Sequence, residues 1–281
     1  MSAQIENNGT RYHQLGRTFI DRLKLTTHPI AVKMIHPDEE APQDALRPAT
    51  VFGAEVPACL VYTYCRRSGL SFYLTKDDIA CKPIVLYFGL DELPEPDDLY
   101  RTWADCAGYK RNMDAEKKSR ADDARFAPFQ FKGFVVSPLH QTLVKPDLVM
   151  VFCSPLVLSH LILAATYDGE NIVSRFNGME SSCKEGIIRT YATRSCQVVS
   201  PGMGDRIMAG VQDYEMIFSI PESQLEKVAA NLFLSGNKLN DPSPFSIPNP
   251  VPSMGANRLL GNPVEPPVWP ILRKRLGDKR D

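Results

Sequence analysis

Residues 131–169 read FKGFVVSPLHQTLVKPDLVMVFCSPLVLSHLILAATYDG. Two apolar runs, FKGFVVSPL and PDLVMVFCSP, are rich in Val and Phe, and each runs into a proline. Proline offers no N–H to a sheet ladder, so both read as buried strands with marked ends. The connection between them is too short for a crossover helix. LVLSHLILAATYDG then reads as a buried helix. Short strand-to-strand links of this kind break a strict βαβ rhythm. The fold class they point to is mixed α+β in a single compact domain.

Working outward, HPIAVKMI at 28–35 is β-branched and bounded by prolines, which predicts a strand. An amphipathic helix over about 9–25 precedes it, with Leu15, Phe19, Leu23 and Leu25 as its apolar stripe. Residues 38–54 are Pro- and Asp-rich and read as a loop. PACLVYTYCRRSG suits a helix started by Pro57 and ended by Gly69, and SFYLT a short strand. KDDIACKPIVLYFGL suits a helix with Pro83 in its first turn. Residues 97–125 carry mixed charges and read as exposed helix. Beyond the opening stretch come a helix over MESSCKEGIIRTYATR, a strand at CQVVS and a tight turn at GMGDR. DYEMIFSIP predicts a strand and ESQLEKVAANLFLSG a helix. From Asn237 onward the chain holds nine of its 23 prolines, too many for regular structure. The division expected is therefore a domain over 1–236 and a proline-rich C-terminal arm over 237–281. Leu259, Leu260 and Trp269 give the arm apolar anchors, for docking on the body or on a second subunit in a homodimer.

Bulk composition excludes several roles. With a net charge of −1 over 281 residues, no overall field recruits nucleic acid or an anionic membrane. No apolar run reaches a bilayer's span, and the N-terminus lacks the apolar segment of a signal peptide. A cytoplasmic setting is expected. Thiols stay reduced there, and the odd count of seven cysteines also argues against a disulfide framework.

The thiols carry the chemistry instead. On one helix, Cys59 and Cys65 are six residues apart and point roughly 120° away from each other. Cys59 and Cys81, on consecutive helices, can converge, and Cys183 and Cys196 can meet at one end of a helix and turn. The candidate metal set is thus Cys59, Cys81, Cys183 and Cys196, suited to a 4Fe–4S cluster or a structural zinc. Without a close C-x2–4-C pair, iron is favoured over zinc. Cys65, Cys106 and Cys153 read as filler. A second candidate is SPGMGDR at 200–206. Gly202 and Gly204 can form an amide nest, and Arg206 can complete a site for an anion. The alternative there is a plain turn, with Arg206 paired to Asp213 or Glu215. His140, beside a strand end, can help orient an acidic substrate.

The order of these segments carries a resemblance. HPIAVKMI, PACLVYTYCRRSG, DDIAC, PDLVMVFCSP, GMESSCKEGI, GMGDR and DYEMIFSIPESQLEKVAANL follow one another over about residues 10–235. In that order the chain resembles the family called domain of unknown function 169. The resemblance implies recurrent cysteines at Cys59 (allowing a one-residue shift), Cys81 and Cys183. It also implies an iron–sulfur cluster with a redox role in anaerobic metabolism, either electron transfer or reduction of a small acidic substrate. The partner would be that substrate or a redox protein. One departure stands out. Many members carry a cysteine where this chain has Gly202, and Cys196 lies six residues earlier. Either Cys196 replaces that ligand or the site has three thiols. The alternatives are a structural zinc and a metal-free protein that binds a small ligand at the GMGDR turn.

Overall fold

The two runs of the opening stretch are strands, and their neighbours build one sheet around them. The structure is a computed structural model that describes residues 2–92, 100–101 and 108–235, with side chains from residue 9 onward. The strands are β1 Ile30–Ile35, β2 Phe72–Leu74, β3 Gly133–Pro138, β4 Leu148–Cys153, β5 Gln197–Val199 and β6 Met216–Pro221. Their spatial order is β2-β3-β1-β4-β6-β5. Every neighbouring pair runs antiparallel, and β3 and β4, joined by the short link of the opening stretch, do not pair with each other but flank β1 on either side. In register, Val32 faces Val136 of β3 and Leu148 of β4.

Side chains alternate across such a sheet, so it separates two apolar clusters. One face presents Val32, Phe72, Phe134, Val136, Met150 and Ile217. The other presents Ala31, Val149, Val151, Phe218 and Ile220. The first face is covered by helix α3 at Ala58–Ser68, helix α4 at Lys82–Tyr87 and a π-helix at Ser182–Arg189. The second is covered by α1 (Ser2–Leu23), α6 (Pro155–Ala165) and α9 (Glu222–Asn231). Shorter helices complete the described chain: α2 Pro48–Phe52, α5 Met113–Arg120, α7 Thr190–Thr193 and α8 Met203–Ala209.

Most expected elements occur where the periodicity places them. Helix α3 begins after Pro57 and stops at Gly69, whose φ of 75° only glycine adopts cheaply. Its N–H donates to the Cys65 carbonyl and closes the last turn. Pro83 sits in the first turn of α4. KDDIAC, however, is a separate 3-10 turn (Lys76–Asp78) and a bend, because the Asp78 carboxylate takes the Thr75 amide and caps its own turn. The expected loop over 38–54 contains α2. The expected buried helix α6 buries only one face; Leu156 and Leu163 are about half exposed, at 54% and 50%. In the charged segment, α5 buries Glu116 and Arg120 rather than lying wholly in solvent. The MESSC helix is π-wound, and GMGDR opens helix α8 instead of a tight turn. Among the described residues, no helix is long and apolar enough to cross a membrane. The arm and Cys106 lie outside the described residues.

Candidate functional site

Three elements of the first face end at one cavity of about 470 Å³. Helix α3 supplies Cys59 from its first turn, Cys81 precedes α4, and the π-helix supplies Cys183. A π-turn carries more residues per turn than an α-turn and so re-aims side chains, which is why such segments gather at functional sites. Here it keeps Cys183 on the cavity wall while Gly186 lies against the sheet. A Cβ at Gly186 would meet the Met150 sulfur at 3.1 Å.

The thiols have defined neighbours. Tyr62 Oη and Cys183 Sγ are 3.3 Å apart within the core. Cys59 Sγ points to the Gly204 carbonyl at 3.9 Å. Burial is the main cause that pushes each thiol's pKa up, by denying the thiolate its hydration. Cys81 is raised to about 11, with the Glu180 carboxylate adding to the effect of burial. Cys59 and Cys183 are raised further, the nearby Asp205 contributing to both. All three are therefore protonated at neutral pH, and a metal has to displace those protons to bind.

Asp205 and Glu180 also line the cavity. Asp205 lies at the third position of α8. Its carboxylate accepts from the Gly202 amide at 2.8 Å, the Ser182 amide at 3.3 Å and the Ser182 hydroxyl. Burial raises its pKa and these hydrogen bonds oppose the rise. Glu180 sits at φ 43°, a left-handed conformation that costs a non-glycine residue of order 1 kcal/mol. Its carboxylate accepts from Arg120 Nη1 at 3.1 Å and Nη2 at 3.4 Å, and pairs with Lys184 Nζ at 3.2 Å. Both cations are buried and share Asp123 as a further partner, and Arg120 also meets Glu116 and the Tyr87 hydroxyl.

Of the eight residues the sequence singles out, the structure brings Cys59, Cys81, Cys183 and Gly204 to this cavity. It does not bring Cys196 there. That thiol packs in the apolar cluster of the opposite sheet face, 3.4 Å from Gln224 Oε1 of α9, so the sheet lies between it and the other three. The GMGDR turn is corrected as well. The Gly202 amide is spent on Asp205, and Arg206 donates to the Gln212 carbonyl, neither to Asp213 nor to Glu215. His140 lies elsewhere again, in a surface groove with His13, its ring 4.6 Å from that of His28. Two site residues were missed. Asp205 carried a readable signal, an acid three residues past a helix-starting Gly202. Glu180 carried none, since its backbone conformation leaves no mark in composition.

The comparisons bear on the whole of this architecture. The family model for domain of unknown function 169, described as "Uncharacterised ArCR", matches residues 18–231. The chain belongs to this family. The domain of unknown function 169 match spans all six strands and every cavity residue. No curated protein matches the chain, and no solved structure does.

Proposed function

We propose that this member of the family is an iron–sulfur protein with a redox role. Cys59, Cys81 and Cys183 would hold the cluster in the cavity. The observation that carries this reading is three thiols, remote in sequence, on the wall of one cavity. Among the described residues, no group of three His, Cys, Asp or Glu side chains is placed to hold a single metal ion. Zinc gathers its donors at about 2.0–2.3 Å from one centre, whereas a cluster spreads its thiolates over several irons. A 4Fe–4S cluster is favoured over zinc because no two of the three thiols form the close C-x2–4-C pair usual in structural zinc sites. No fourth thiol lines the cavity among the described residues, so a cluster held by these three would have one iron open to a substrate. When bound, such a group supplies one-electron chemistry. The chain's own residues orient the thiols: the Tyr62 hydroxyl positions Cys183, and the Gly204 carbonyl positions Cys59.

Anaerobic purification, visible absorption, and iron, sulfide and zinc analysis test the proposal. Stoichiometric iron and sulfide are expected, lost in Cys81→Ser and kept in Cys196→Ser. A protein that stays colourless and iron-free after anaerobic reconstitution would sink it. The second reading is a metal-free pocket for a small organic ligand, favoured by the largely apolar wall and the size of the cavity.

A further inference from the structure

We infer that the same cavity takes a small organic ligand that is apolar in body and cationic at one end, with its ammonium or similar N–H group read by Glu180. This rests on the cavity being the functional site, as proposed above, and not on a cluster being present in it.

The polar groups on the wall set the sign. Glu180, Asp205 and the Gly204 carbonyl all present acceptor oxygens. Three donors at or beside the wall are turned elsewhere, and the Tyr109 hydroxyl and the thiols also line it. Lys82 Nζ binds Glu55 at 2.8 Å and the Ile79 carbonyl at 3.2 Å. The Ser182 hydroxyl gives its proton to Asp205, and Arg206 is committed to Gln212. An anionic ligand would thus meet acceptors with few donors to answer it. Among the described residues, three carboxylates (Glu116, Asp123 and Glu180) share two cations, Arg120 and Lys184. One negative charge is left over, in a buried setting that strengthens its field. A carboxylate offers about four lone-pair sites, and the Arg120 and Lys184 contacts take three. Among the described residues no further donor takes the remaining one, and Glu180 lines the cavity. The backbone strain at Glu180 fits this role, since strained residues persist where the surroundings hold them for use. Met179, Ile84, Ile207 and Met208 supply the apolar surround. An ammonium gains there what an acidic substrate would lose, so the ligand class differs from the acid expected of the GMGDR turn.

Three isosteric probes test the sign: benzylamine, benzyl alcohol and benzoate, titrated by calorimetry into the full-length protein as isolated and after anaerobic loading with iron and sulfide. Benzylamine should bind at least about tenfold more tightly than benzoate in the iron-free protein, and should slow alkylation of Cys59 and Cys81. Glu180→Gln should weaken benzylamine about tenfold and leave benzyl alcohol unchanged. Benzoate binding as tightly as the amine overturns the inference, as does binding of none of the three. An amine affinity unchanged in a folded Glu180→Gln protein does so too. If that variant fails to fold, the comparison of probes on the wild-type chain still decides. Iron measured on the same samples separates the two readings. Iron without amine preference sinks this inference and leaves the cluster, whereas amine preference without iron does the reverse.

Discussion

Cys81 is the thiol on which the chemistry of the cavity is easiest to read. Burial, aided by Glu180, raises it to about 11, while Cys59 and Cys183 are raised further by burial and by Asp205. Alkylation needs the thiolate, whose fraction falls about tenfold for each unit by which the pH lies below the pKa. In metal-free protein, iodoacetamide should therefore label Cys81 before Cys59 and Cys183, at a rate that climbs steeply from pH 8 towards 11. Mass spectrometry of the labelled peptides reads the order, and labelling of Cys183 first would contradict this account. The sign for stability runs the same way. A thiol whose folded pKa exceeds its free value stabilises the fold below about pH 9 and loses that contribution as pH rises further. At this scale much was legible. The helical angle correctly turned Cys65 away from Cys59: Cys65 is fully buried in the core, while Cys59 reaches the cavity. Cys196 was not legible. Which face it packs on depends on the phase at which β5 enters the sheet, and a three-residue strand carries too little alternation to fix that phase.

Between elements, the docking of α1 shows how a contact absent from any sequence pattern governs behaviour. Gly16 lets the helix approach so closely that a Cβ there would lie 2.7 Å from the His140 amide nitrogen. This approach gathers His13, His28 and His140, with Arg17 nearby. Burial first, and then Arg17, lowers the pKa of His28; burial, then His28, His13 and Arg17, lowers that of His140. The fold therefore prefers neutral rings. Their contribution is present above the free value of 6.5 and is lost as pH falls through and below it. The urea midpoint should drop between pH 7 and 5, and the drop should be shallower in His140→Gln. Equal slopes in the two proteins would remove the histidines from the explanation. Asp205 and Asp147, whose pKa values are raised, act in the opposite direction, so the comparison with the variant isolates the rings. The π-winding of Ser182–Arg189 was equally unreadable. Propensity marks a helix there, but it does not say how many residues each turn holds.

For the whole molecule, strands and helices intermixed without a βαβ rhythm made the α+β class legible, although the short link of the opening stretch joins β3 and β4 across β1 rather than as a hairpin. The strand order was not legible, since β2 and β5 sit at opposite edges through contacts made far along the chain. The sheet divides the labour: the face with α3, α4 and the π-helix forms the cavity, and the face with α1, α6 and α9 backs it. The expected division of the chain falls at 236, and among the described residues both clusters and the cavity lie before it. A chain ending after Ser235 should consequently unfold in one cooperative transition, with a midpoint within about 4 °C of the full-length protein, as a change near 1 kcal/mol would give. Thermal scans followed by circular dichroism check this. Loss of the transition would mean that 237–281 completes a core. The same pair of chains tests the expected homodimer by sedimentation. A full-length dimer that becomes a monomer on truncation supports exchange of the arm between subunits, and an unchanged state in both refutes it. The half-exposed Leu156 and Leu163 of α6 offer such an arm an apolar surface on the face that backs the cavity. The proposed iron binding, which would be seated on the other face, should therefore survive the truncation.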